Sequence, residues 1–192
     1  MSNDIIVTIH QPNFIPWYPF FQKMKQADIF VMLTHCQFEK NGFTNRFNID
    51  GAWKTMSVYR GLRPINEKTY VNPLKDWNKI KASLPAYSSQ LQLFDDCISD
   101  SLVKTNIAII HKIVDVLEIN TKIVIDYKTP LVGTERLVDI CQHYGASKYL
   151  SGLGGKDYLD EAAFANNAIA LTYQNEADMI KKSVLEVLKD NG

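Results

Sequence analysis

Ile5-Ile6-Val7-Thr8-Ile9-His10-Gln11-Pro12-Asn13-Phe14-Ile15-Pro16-Trp17 decides the fold class of this chain. Ile5 to Ile9 is a short apolar run rich in β-branched residues, ended by polar residues and proline, and reads as a buried strand. Pro16 and Pro19 suit the start of a helix, where a missing N–H costs little. Trp17, Phe20, Phe21 and Met24 follow at i, i+3, i+4 and i+7, with Gln22, Lys23, Lys25 and Gln26 assigned to the opposite, polar face. Ile29 to Leu33 is a second apolar strand. Strand, helix and strand within the first 33 residues predict a βαβ unit with parallel strands.

The rest of the chain alternates in kind. From Phe38 to Val58, aromatic and aliphatic residues are broken by Asn41-Gly42 and Asp50-Gly51, two hairpin-turn signals that predict a small antiparallel extension. Residues 60–74, with Pro64 and Pro73, read as a long connection. Helical stretches are expected over Lys75–Leu84, Ser88–Leu102 and Thr105–Leu117, a helical insertion at about 75–120. Beyond it, Lys122–Ile125 reads as a strand, Thr134 as the cap of a helix ended by Gly145, and Tyr149-Leu150 as a short strand. A helix from Asp157 to Asn166, a strand from Ala168 to Thr172 and a last helix capped by Asp178 complete the pattern. The expected fold is α/β: a mostly parallel sheet of βαβ units, with the hairpin extension and the helical insertion, in one domain over residues 1–192.

Composition narrows function. The 192 residues hold 21 Lys+Arg and 21 Asp+Glu, so net charge is zero, whereas non-specific nucleic-acid binders are usually basic. No apolar run approaches the roughly 20 residues of a membrane span, and the polar start is followed by too few apolar residues for a signal-peptide core. Cys36, Cys97 and Cys141 are too widely spaced for a disulfide framework or zinc motif. A cytoplasmic protein with a small-molecule substrate is expected, with no nucleic-acid partner and no membrane span. No cofactor is identified by the sequence.

Three segments carry candidate chemistry. His10 falls at the carboxyl end of the first strand, where α/β proteins place ligands, and can act as acid, base or anion donor. Gln11 and Asn13 share that loop, and the helix that follows has an amino terminus suited to an anion. His35 follows the second strand, but two histidines without a third ligand make no metal site, and none is expected. Asn45-Arg46 lies in the hairpin region. Its arginine suits bidentate phosphate recognition or a solvated outer face, and residue type leaves both open. Ser151-Gly152-Leu153-Gly154-Gly155-Lys156 lies between a strand and a helix, where small residues let backbone N–H groups approach an anion. It is not a Walker A loop, because Asp157 follows the lysine. Tyr158 and Gln174 suit the same cleft and a purely structural role equally well. G-x-S-x-G, H-E-x-x-H and C-x-x-C are all missing.

The sequence resembles the WbqC-like protein family of bacteria. The resemblance is carried by His10-Gln11-Pro12-Asn13-Phe14-Ile15-Pro16-Trp17, Ala27-Asp28-Ile29-Phe30-Val31, Gln37-Phe38, Asn45-Arg46 and Trp53. Near the end, Tyr149-Leu150-Ser151-Gly152, Tyr158-Leu159 and Tyr173-Gln174 match in kind and order. Members of that family are associated with surface-polysaccharide gene clusters, including O-antigen biosynthesis. The resemblance therefore implies work on a nucleotide-linked sugar or its precursor, by transfer of an acyl, aminoacyl or nucleotidyl group, or as a non-catalytic accessory of glycan assembly. On that reading His10 is the acid/base. Gln11, Asn13, Asn45, Arg46, Ser151, Gly152, Gly155 and Tyr158 bind substrate. The chain departs from the family after the second strand, where Thr34-His35 stands in place of an aspartate pair. It is similar in architecture to adenylyl- and cytidylyltransferases, yet lacks the glycine and second histidine of their H-x-G-H.

Overall fold

The computed structural model describes residues 4–190. Its described residues divide into two compact units: residues 4–10, 19–33 and 120–180 form the first, and 11–18, 34–119 and 181–190 the second. The insertion expected at about 75–120 thus falls within the second unit, whose longest segment runs from Thr34 to Ile119.

The first unit is a five-stranded sheet. Its strands are β1 (Ile6–His10), β2 (Ile29–Met32), β5 (Lys122–Ile125), β6 (Lys148–Ser151) and β7 (Ala170–Tyr173). The spatial order is β5-β2-β1-β6-β7, and every pairing is parallel. Helix α1 (Tyr18–Lys25) connects β1 to β2, α5 (Gly133–His143) connects β5 to β6, and the short α6 (Glu161–Ala165) lies between β6 and β7. The chain builds outward from β1 through β2 to β5, then returns to the other side of β1 for β6 and β7. This is a doubly wound order, and its reversal between β1 and β6 is a topological switch point.

Burial follows the apolar pattern. Val7, Val31, Leu137, Ile140, Cys141, Tyr149 and Phe164 belong to one core, where Tyr149 and Phe164 stack at 5.1 Å. Gly145 ends α5 at φ 64, as expected. Several local expectations fail for tertiary reasons. Thr134 is not the cap of α5, which is preceded by Val132; its hydroxyl accepts from Asp160 N instead. The helix expected from Asp157 is shorter: a 3-10 turn spans Leu153–Asp157, and Asp160 caps α6. Trp17 does not join the α1 stripe but is 48% exposed.

The second unit holds the hairpin β3 (Arg46–Ile49) and β4 (Ala52–Thr55), with helices α2 (Pro73–Ser83), α3 (Ser88–Gln92), α4 (Leu102–Val116) and α7 (Val184–Asp190). Asp50-Gly51 makes the hairpin turn, both residues at positive φ (51 and 76), as a type I′ turn requires. Asn41-Gly42 lies before the hairpin and turns no strand. The helix expected over Ser88–Leu102 breaks after Gln92, and α4 begins at Leu102 behind a Ser101 cap. Asp178 caps nothing in α7, which starts at Val184. Asp95 and Asp96 lie on a 3-10 turn, where Asp95 accepts from the Trp77 indole at 2.7 Å and from Lys81 at 2.6 Å.

Candidate functional site

In the first unit, the carboxyl ends of β1 and β6 define the candidate site. His10 ends β1 and Ser151 ends β6, on either side of the switch point. The His10 imidazole meets Phe20 of α1 edge-on, ring centroids 5.0 Å apart, so it lies on the α1 face of the sheet. The seam between β1 and β6 opens toward these ends. The two strands pair at Ile6↔Lys148 and Val7↔Tyr149, whereas β1 and β2 pair over the full run from Val7↔Ile29 to His10↔Met32. Beyond Val7, side chains supply the donors. Thr8 Oγ1 donates to Leu150 O at 2.7 Å, and Lys23 Nζ donates to Ile9 O at 3.3 Å.

Lys23 is the residue that the sequence pattern misplaced. Helical spacing assigned it to the polar face of α1, but it is only 3% exposed. Burial alone lowers its pKa to about 7. One signal pointed to it: Lys23 follows Phe20 by three residues, so the two side chains are neighbours along the helix.

The loop after β6 is tightly packed. Ser151 is buried and its hydroxyl donates to Gly152 O at 3.1 Å. Gly155 N donates to Gly152 O at 3.0 Å, so that amide is committed within the loop. A Cβ at Gly155 would come within 2.2 Å of Ser151 Oγ and 2.9 Å of Leu159 Cδ1. Glycine is therefore required here for close packing. Gly155→Ala is expected to lower stability by about 1–3 kcal/mol through overpacking, measurable by urea denaturation. Gln174 closes the loop's other side: its Nε2 donates to Pro19 O at 2.9 Å, and it is buried. Tyr158 is 70% exposed.

In the second unit, Gln11 and Asn13 lie in the loop that follows His10. Asn13 is buried, and Ile15 is buried at φ 45, a backbone conformation that a β-branched residue holds only when its surroundings enforce it. Those surroundings are visible. Phe14 N donates to Phe43 O, and the Phe14 ring packs against Phe47 and Trp77 at 5.7 and 6.4 Å. Asn106 of α4 is fully buried and ties the loop down. Its Nδ2 donates to Pro12 O at 2.6 Å and to Thr44 O at 2.7 Å, while its Oδ1 accepts from Tyr70. This side chain brings the loop bearing Gln11 and Asn13 beside the segment bearing Asn45 and Arg46. Asn106→Leu leaves those two carbonyls without their donor and is expected to cost about 2–3 kcal/mol, read as a fall in the denaturation midpoint.

Asn45 and Arg46 are partly committed. Asn45 is buried and its Nδ2 donates to Met56 O at 2.8 Å. Arg46 Nε donates to Gly42 O at 3.1 Å and Nη2 to Asn41 O, with the guanidinium 3.9 Å from the Trp53 ring centroid. These bonds engage only part of its N–H fork. The amino terminus of α1 has less to offer an anion than expected, because Tyr18 N donates to Lys182 O at 3.0 Å.

The candidate residues thus fall into two groups: His10, Ser151, Gly152, Gly155 and Tyr158 in the first unit, and Gln11, Asn13, Asn45 and Arg46 in the second. Among the described residues no cluster of three or more His, Cys, Asp or Glu is arranged for a metal, and no helix is long and apolar enough to cross a membrane.

The chain is similar to the uncharacterized protein Rv1507c of Mycobacterium tuberculosis, with 29% identity over 190 residues, covering 87% of this chain and 80% of that one. Among solved structures, a Zn(II)-bound mutant variant of AdcAII from Streptococcus pneumoniae aligns over 99% of this chain and 97% of its own. The identity is 12% and the TM-score 0.24, a level that carries no argument about fold or zinc. The model of the WbqC-like protein family matches residues 11–181. That span takes in the Gln-Pro-Asn loop, the hairpin and the Ser151–Gly155 turn, and the chain belongs to the WbqC-like protein family.

Proposed function

We propose that the protein acts on a nucleotide-linked sugar or its precursor in bacterial surface-polysaccharide synthesis, transferring an acyl, aminoacyl or nucleotidyl group. The observation that carries this reading is the position of His10, at the carboxyl end of the central strand β1 and beside the switch point. Ligands of doubly wound sheets bind in that crevice. The imidazole takes the proton from an attacking sugar hydroxyl or amine as it adds to the activated carbonyl or phosphorus, and returns it to the departing group. Gln11 and Asn13, on the loop that follows His10, are read as orienting the acceptor. In the second unit the unspent N–H groups of Arg46 suit phosphate oxygens; in the first, Ser151, Gly152, Gly155 and Tyr158 are read as substrate-binding residues.

Association with surface polysaccharide supports the substrate class through the family resemblance. The test is turnover of nucleotide sugars with acyl and nucleotidyl donors, compared between wild type and His10→Ala, together with calorimetry of the same nucleotide sugars on wild type and Arg46→Ala. Turnover lost with His10 and binding weakened without Arg46 is the expected result. Binding without turnover in wild type makes the protein an accessory of glycan assembly. No binding of any nucleotide sugar ends the reading.

A further inference from the structure

Lys23 has no role in the chemistry above, yet its surroundings are unusual for a lysine. It is almost completely buried, and among the described residues no carboxylate pairs with it. An unpaired buried ammonium is costly, and a chain that needed only packing at this position has Met or Leu available to it.

The place of its amine is set by the strand geometry. Along β1 the carbonyls alternate between the two neighbouring strands. Ile6 O accepts from Asp28 N and His10 O from Leu33 N, both on the β2 side, whereas Ile5 O accepts from Lys148 N on the β6 side. By this alternation Ile9 O points toward β6, into the seam that opens beyond Val7↔Tyr149. Lys23 Nζ meets it there, at 3.3 Å. The contact lies one residue before His10, about 3.3 Å along a strand. It is also on the face that His10 shares with α1, since the imidazole rests on Phe20, one helical turn from Lys23.

We propose that Lys23 is a positioning residue for His10: by anchoring the Ile9 carbonyl in the open seam, it fixes the end of β1 from which the imidazole reaches the switch-point crevice. This assignment rests on the reading of His10 as the acid/base. The lysine touches no reacting atom; it acts through the strand end. Leu150 O receives Thr8 Oγ1 at the corresponding place on β6, so each strand flanking the crevice has a side-chain donor where the backbone ladder stops.

The test is Lys23→Met in the full chain, with three readouts: kcat and KM on the nucleotide sugar turned over by wild type, the melting temperature, and the His10 imidazole resonances by NMR, assigned by their loss in His10→Ala. Expected are a fall in kcat of tenfold or more with KM within twofold, a melting temperature that rises or holds, and displaced His10 resonances. A merely structural lysine does not lower kcat while stability holds. The inference is overturned if kcat stays within twofold of wild type, if the His10 resonances stay in place, or if the variant melts lower and loses activity in proportion. Should wild type turn over no nucleotide sugar, the functional reading fails, and the His10 resonances alone still decide the role of Lys23. Should His10→Ala abolish turnover while Lys23→Met leaves kcat and resonances unchanged, the functional reading stands and this one falls.

Discussion

Alanine at His10 is expected to reduce kcat by about 10²- to 10⁴-fold, the range a lost general acid–base group produces, with a smaller change in KM. The argument is one of place. His10 is the last residue of β1, the central strand, and its imidazole is half-buried against the Phe20 edge. Removing the ring forfeits that aromatic contact, worth about 0.5–1.5 kcal/mol, which is too little to unfold a domain of this size. A large loss in rate is therefore readable as chemistry once the melting temperature is shown to hold. His10→Gln sharpens the result, because glutamine keeps a hydrogen-bonding head and cannot cycle a proton. If Gln restores most of the rate, His10 orients substrate and transfers no proton. If Gln is as impaired as Ala, proton transfer is the missing function. A fall confined to KM assigns His10 to binding alone. The measurement is steady-state kinetics of three proteins on one substrate, with circular dichroism as the control for folding.

The parts of this molecule legible in the sequence are those decided locally. The β1-α1-β2 start was readable because Ile5–Ile9 and Ile29–Leu33 are short β-branched or apolar runs and the prolines mark where the helix begins. The Asp50-Gly51 turn was readable because a type I′ turn needs two residues tolerant of positive φ. What failed depended on distant partners. Thr134 has the chemistry of a cap, but Asp160 N, from another part of the chain, claims its hydroxyl. Asn106 lies within the expected Thr105–Leu117 helix, and its three partners, Pro12, Thr44 and Tyr70, are between 36 and 94 residues away. Of the candidate site, His10 and Ser151 could be placed at strand ends from the pattern, but not the sheet order that makes those two strands neighbours. Arg46 was recognisable as a cation, whereas its bonds to Asn41 and Gly42 exist only once the loop closes. Lys23 shows the limit most clearly. Helical periodicity assigns charged residues to solvent, and beyond the Phe20–Lys23 spacing nothing local reveals that a short helix is covered on both sides, with Gln22 bonded to Asp178 O and Ile180 N and Lys23 beside it sealed in.

That sealed lysine leads to the second large effect: Lys23→Met is expected to raise stability at neutral pH, and the gain should vanish in alkali. Burial holds the folded-state pKa at about 7, against an ordinary 10.5. Between those values the unfolded chain carries a proton that the folded chain does not, so unfolding takes up protons and the stability of wild type rises with pH across the window. At pH 7 the penalty is on the order of 4 kcal/mol, since each tenfold loss of proton affinity on folding corresponds to ~1.4 kcal/mol. Methionine removes it and fills similar space. It also leaves Ile9 O without the Lys23 donor, at a cost of about 1–3 kcal/mol, so the net gain at pH 7 is on the order of 1–3 kcal/mol. Above pH 10.5 the lysine is neutral in both states and its amine still donates to Ile9 O, so there methionine becomes the less stable choice. The decisive plot is the difference in unfolding free energy between the two proteins from about pH 6 to 11, which cancels the titrations they share. A difference that favours methionine near pH 7, declines through the window and changes sign near its upper end identifies a buried, depressed lysine. A flat difference means that Lys23 titrates like a solvated amine. The sign at pH 7 bears on function as well. A residue whose replacement stabilises the fold while slowing the reaction is retained for the reaction, and at the end of β1 the group it serves is His10.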